Sequence, residues 1–141
     1  MLWSDFQNTA DRLILGATEG DWRSAVSRTY YAVFHYFRDF FLAQGIDVGG
    51  GGQSHTSLSY GLTNCGLPPV VPFGRRLDRL RTSRTRADYD FSRPVGRTLA
   101  QAAVRDGHSL PADFQAFLGR VPAASIAAGV RTYLKSIGRI P

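Results

Sequence analysis

Apolar residues recur along most of this chain at intervals of three and four, the period of an amphipathic helix, and nowhere alternate for long enough to suggest a strand. Ser4 with Gln7 three residues later reads as a capping box. Trp3, Phe6, Ala10, Leu13, Ile14 and Ala17 then predict a first helix over about Asp5–Thr18. Asp21 reads as the cap of a second helix from Trp22, which Gly45 ends after Gln44. The stretch "GIDVGGGGQSHTS" holds four consecutive glycines, predicting a flexible loop over about residues 45–55 and a short helix from Thr56 to Thr63. Three prolines in "CGLPPVVP" break the chain before a helix over about Gly74–Arg86, patterned by Leu77 and Leu80, and "ADYDFSRP" interrupts again. Ser92 with Pro94 predicts a further start, carrying Val95, Leu99, Ala103 and Val104. Ser109 with Pro111 predicts another, leading into Phe114, Phe117 and Leu118. Ile126, Val130, Tyr133, Leu134 and Ile137 mark the last helix. The expected architecture is all-α, a helical bundle, and 141 residues suit one domain over residues 1–141.

The second of these helices is unusual in composition. "SRTYYAVFHYFRDFF", Ser27 to Phe41, carries seven aromatic rings in fifteen positions together with Arg28, His35, Arg38 and Asp39. At about 100° per residue, Trp22, Val26, Tyr30, Val33, Phe37, Phe40 and Phe41 fall on one side, which is the expected core face. Arg28 and His35 are seven positions apart and lie within about 20° of each other on nearly the opposite side. Tyr31, Ser24 and Arg38 flank them.

Charge adds one feature to this pattern. The net charge of +6 is concentrated: eight arginines stand against three aspartates between Arg75 and Arg97, a local charge of +5, and Lys135 is the only lysine. An arginine-rich segment is either a solvated helix face or the footprint of an anionic partner. On the second reading Arg75, Arg76, Arg79, Arg81, Arg84 and Arg86 are candidates for binding nucleic acid or phosphate. No run approaches the roughly 18 apolar residues of a membrane span, and "MLWSDFQNTADRLILG" lacks the basic region and cleavage site of a signal peptide. A cytoplasmic protein with no membrane association is expected. Cys65 is the only cysteine and reads as a half-buried thiol, and His35, His55 and His108 lack metal-ligand spacing, so neither a metal nor another cofactor is expected. The glycine run has no following Lys-Ser/Thr and reads as a connector rather than a phosphate-binding loop, and His108 reads as a surface residue in a turn.

An arginine and an imidazole on one helical face suit phosphate chemistry. The guanidinium forks onto phosphate oxygens, and an imidazole with pKa near 6.5 moves protons at neutral pH. That combination fits metal-free RNA cleavage, where a ribose hydroxyl must lose its proton while charge develops on phosphorus. Ordinary helix-surface or interface residues would give the same spacing.

The segment "AVSRTYYAVFHYF" resembles the helix signature of HEPN-domain proteins, in particular a small prokaryotic branch reading A-x-x-R-x-YYA-x-FH. The resemblance continues with His55, where that branch commonly has a histidine. It continues again in "LRTSRTRADYD", similar to the branch's R-x-x-ADY element through Arg84, Ala87, Asp88 and Tyr89. It covers about Asp21 to Ala103 and implies an antiparallel HEPN-like helical bundle, here with extra C-terminal helices, that commonly forms a homodimer. HEPN proteins include RNases with an R-x(4 to 6)-H motif and toxins paired with a minimal nucleotidyltransferase antitoxin. Arg28 to His35 fits R-x6-H as a string, whereas the later helix, where active toxins carry the motif, has Arg84, Asp88 and Tyr89 and no histidine.

The resemblance therefore implies one of two functions. In the first the chain is a metal-independent endoribonuclease or toxin acting on RNA. His35, Arg28, Arg84 and Tyr89 would be its catalytic set, with Tyr31, His55 and Asp88 as further candidates, and Tyr89 would orient the site or be modified by the nucleotidyltransferase. In the second it is a non-catalytic module binding a nucleotide, a nucleic acid or an acidic protein.

Overall fold

The computed structural model describes every residue from Met1 to Pro141 and contains six α-helices, one short 3₁₀ turn and no strand. The helices are α1 (Trp3–Leu13), α2 (Glu19–Ala43), α3 (Gln53–Thr63), α4 (Val71–Tyr89), α5 (Arg97–Phe117) and α6 (Ala123–Ser136), with the 3₁₀ turn at Pro68–Val70 leading into α4. No helix is long and apolar enough to cross a membrane.

Capping chemistry sets the first boundaries. Ser4 lies inside α1; Leu2 takes the cap position, and its N–H donates to Asp5 Oδ2 at 2.6 Å. The helix stops at Leu13 rather than Thr18, because Thr18 opens α2. The Thr18 Oγ1 accepts the Asp21 N–H at 3.2 Å, and Asp21 Oδ2 accepts the Thr18 N–H at 3.3 Å. Asp21 is thus the third helical residue of a capping box rather than the cap itself, since the threonine that pairs with it three residues earlier satisfies the free amides. Gly45 takes φ +78° just beyond the end of α2, a left-handed stop that favours glycine.

The next three helices are longer than expected. α3 starts at Gln53, so His55 sits in its first turn and the loop ends earlier. α4 continues through Ala87, Asp88 and Tyr89 because its terminal carbonyls find a donor: Arg23 of α2 donates through Nη1 to the oxygens of Arg86 (3.1 Å), Ala87 (2.9 Å) and Asp90 (3.0 Å), and through Nη2 to Arg93 (2.6 Å). Ser92 caps no helix; its N–H and hydroxyl both donate to Asp90 Oδ1, closing a turn. Pro94 lies ahead of α5, which opens after Gly96. The two starts expected at Ser92 and Ser109 belong to one helix, and Pro111 lies inside it. Proline leaves the carbonyl four residues back without its amide. That carbonyl, of Gly107, accepts instead from Gln7 Nε2 of α1 at 3.4 Å.

The helices assemble around α2, which packs against α1, α3, α4 and α5, while α6 closes the bundle against α3. Val26, Tyr30, Val33, Phe37 and Phe41 are buried, as their common face requires. Phe37 packs edge-on against Phe114 of α5 with ring centroids 5.0 Å apart, and Phe114 meets Phe73 of α4 at 5.2 Å. Trp22, expected in the core, is half-buried: its indole N–H donates to the Gly16 carbonyl at 3.0 Å and its ring faces the Arg97 guanidinium at 5.3 Å. Cys65 is buried rather than half-buried, and His108 is a residue of α5 paired with Asp11 of α1 at 2.7 Å.

Candidate functional site

The polar side of α2 faces α1, α3 and α4, and its centre is Tyr31. The Arg84 guanidinium of α4 donates through Nη2 to the Tyr31 hydroxyl at 2.7 Å and lies 5.1 Å from the ring. Arg28, one turn before Tyr31 on α2, places its own guanidinium 5.0 Å from the same ring. Asp88, one turn beyond Arg84, brings Oδ2 within 2.9 Å of Arg84 Nε and accepts the Ser27 hydroxyl at 3.1 Å. The Arg84 Nε–H is not aimed at that carboxylate, so the pairing is mainly coulombic. The Ser27 hydroxyl in turn receives a long bond, 3.4 Å, from Arg28 Nη2. Tyr89, 70% exposed at the end of α4, lies against the Arg84 guanidinium with its ring centroid 5.4 Å away.

The two histidines flank Phe34. His55 of α3 lies 4.5 Å from the Phe34 ring and His35 lies 5.1 Å from it. His55 Nδ1 is 2.7 Å from the Tyr30 hydroxyl. Burial pushes the Tyr30 phenol well above its ordinary value, so it stays protonated and shares a hydrogen bond with Nδ1. Burial and then the nearby Arg84, Arg81 and His35 lower the His55 pKa. His35 is lowered too, by burial and then Arg38, with Asp39 opposing. Both imidazoles are consequently neutral at pH 7.

Arg28 and His35 share a face but do not touch. Phe6 of α1 contacts both, lying 5.3 Å from the Arg28 guanidinium and stacked nearly parallel to His35 at 5.4 Å. His35 opens instead onto a cavity lined by Met1, Leu2, Trp3, Phe6 and Asp39, and its ring nitrogens bond to no protein group. The structure thus brings Arg28, Tyr31, Arg84, Asp88 and Tyr89 together, sets His55 against the edge of Tyr31 at 6.1 Å, and places His35 one aromatic ring away.

The arginines of α4 do not form one continuous surface, because helical periodicity sends them in different directions. Arg76 pairs with Asp113 at 3.0 Å and bonds Ser109, Arg81 pairs with Asp78 at 3.2 Å, and Arg86 donates to the Pro94 carbonyl at 2.8 Å. Arg75 and Arg79 are exposed and have no protein partner.

Sequence reasoning passed over Arg23, Ser27, Phe6 and Phe34. Arg23 had only its spacing to Glu19 as a signal, and its bonds to residues 63 to 70 positions away arise only on folding. No three His, Cys, Asp or Glu side chains come together as a metal site would require.

The fold and this cluster define an all-α bundle with a basic and aromatic site on its central helix. No known family model matches the chain, and neither a curated protein nor a solved structure matches it.

Proposed function

We propose that the protein is a HEPN-type helical module that acts on RNA, seating a backbone phosphate against Arg28 and Arg84 and cleaving the neighbouring ester without a metal. The observation that carries this reading is the convergence on Tyr31 of Arg28, Arg84 and His55, from three helices, with His35 one aromatic ring away. A neutral imidazole takes the proton of the ribose 2′-hydroxyl, the freed oxygen bonds to phosphorus, and the bond to the 5′-oxygen breaks as the imidazolium gives that proton up to the leaving oxygen. The arginines stabilise the charge that develops on the phosphoryl oxygens. The products are a 2′,3′-cyclic phosphate and a 5′-hydroxyl.

His35 is the proton-transfer group in this reading, since its nitrogens are free while His55 Nδ1 is held by Tyr30. Purified protein incubated with RNA in the presence of a chelator is expected to produce cyclic-phosphate ends, and His35→Ala is expected to abolish them while the protein stays folded. RNA intact after hours, or cleavage by His35→Ala at the parental rate, sinks the reading. Tyr89, exposed beside Arg84, is the natural acceptor for a nucleotidyl group from a minimal nucleotidyltransferase antitoxin, and the working unit in this reading is a homodimer.

A second reading, a non-catalytic module for a nucleotide, nucleic acid or acidic protein, draws on the Asp88 carboxylate. It lies against Arg84 and competes with any phosphate for that guanidinium. Retained RNA binding without cleavage decides for it.

A further inference from the structure

The end of α4 carries a second surface that the cleavage scheme touches only through Arg84. Phe91 is 80% exposed and Tyr89 is 70% exposed, two aromatic rings two residues apart on the outside of a bundle whose other aromatic rings, Tyr60 excepted, are buried or half-buried. Each ring is backed by a guanidinium, Tyr89 by Arg84 at 5.4 Å and Phe91 by Arg23 at 5.3 Å, so each has support on one side and open solvent on the other. Beside Tyr89 runs a shallow groove lined by Arg81, Arg86 and Arg93 with Thr82 and Thr85. Arg86 has no carboxylate partner, Arg93 pairs through Nε with Asp90 at 2.8 Å and keeps its two terminal nitrogens for a phosphate, and Arg81 pairs with Asp78 at 3.2 Å. The backbone beneath is fixed by the four Arg23 bonds and by the turn at Asp90, which makes this a rigid support rather than a loose loop.

We propose that this surface is a stacking platform for unpaired RNA bases, with Tyr89 and Phe91 receiving the base faces and Arg86 and Arg93 the intervening phosphates. Exposed aromatic rings interleaved with arginines provide the combination that single-stranded nucleic acid binding requires: π-faces for bases and cations for the backbone. A duplex hides its base faces in its own stack and leaves only the charge term, so the platform selects single strands. The proposal rests on the RNA reading above and extends it by naming the form of RNA that is bound.

The test uses fluorescence anisotropy with labelled 2′-O-methyl RNA of about twelve nucleotides, within the usual site size for single strands. This RNA lacks the hydroxyl that cleavage needs, so binding is read apart from chemistry. Tyr89→Ala and Phe91→Ala are each expected to weaken binding roughly five- to a hundredfold with the salt dependence unchanged. Tyr89→Phe is expected to bind like the parent, and the same sequence in a duplex more weakly. Arg86→Ala and Arg93→Ala are each expected to reduce the logarithmic salt slope by about 0.7. Alanine variants that melt like the parent and bind single strands with parental affinity overturn the platform, as does a duplex that binds as tightly as the single strand. Affinity lost in Tyr89→Ala while the parent leaves ordinary RNA intact supports the platform and removes only the cleavage scheme. Failure of the parent to bind any RNA at low salt overturns both.

Discussion

Arg23 of α2 ties the last turn of α4 and the turn beyond it to the central helix. Its side chain is 13% exposed and pairs with Glu19 at 3.1 Å while four carbonyls accept its protons, those of Arg86 and Ala87 in the last turn of α4 and those of Asp90 and Arg93 just beyond it. Glu19 is held below its ordinary pKa, first by the Val95 N–H it accepts and also by Arg23, so one exchange of charge ties α2, α4 and the approach to α5 together. Arg23→Ala leaves helix-terminal carbonyls without a cation and is expected to cost about 2–3 kcal/mol, read by urea denaturation. Arg23→Lys is expected to recover only part of this, because an ammonium cannot reach four acceptors as a planar fork does. A fully stable Arg23→Ala protein would contradict this account.

Among the elements, α2 is the pillar of the bundle, and α4 packs against both α2 and α3. Phe37 is fully buried between α2 and α5, and Phe37→Ala is expected to lose about 3–5 kcal/mol of stability in chemical denaturation. Unchanged stability would place the wrong face of α2 inward. Gly74 of α4 sets the approach to α3: a methyl group there would meet the Ser59 carbonyl oxygen and the Thr63 amide nitrogen, both at 2.9 Å. Backbone atoms cannot turn aside as a side-chain end can, so Gly74→Ala is expected to cost about 1–3 kcal/mol through separation of the two helices. A calorimetric melting temperature equal to that of the parent would show that the helices have room to spare.

For the molecule as a whole, the neutral histidines make stability fall on the acid side. His35 and His55 both have pKa values below the ordinary 6.5, so the unfolded chain takes up protons before the folded one does. Their contribution is fully present above pH 6.5 and is lost as pH falls from there to the lowered folded values, with repulsion in a chain already at +6 acting in the same direction. The melting temperature is expected to drop across that window, and His55→Gln to flatten the drop. An identical profile in the His55→Gln protein would assign the slope elsewhere. Asp90, held at about 2 by Ser92 and Arg93, stays ionised throughout this window and keeps the turn after α4 intact.

Hydrophobic period alone determined that the chain is helical and which side of α2 faces inward, because burial of one stripe depends on residues three and four apart within a single element. It placed Phe37 and Phe41 in the core and Arg28 with His35 on the other side. Boundaries were less legible where satisfaction came from elsewhere: Arg23 extends α4 through "ADY", and Gln7 receives the carbonyl that Pro111 leaves free. The candidate site follows the same division. Residue types and spacing singled out Arg28 and His35, and the family resemblance added Arg84, Asp88 and Tyr89, but only the packing of α1, α3 and α4 against α2 put Phe6 in contact with both Arg28 and His35, joined Arg84 to Tyr31 across 53 positions, and set His55 on Tyr30. Local sequence encodes which face a side chain occupies, whereas its partner on another helix is fixed by how the whole core closes.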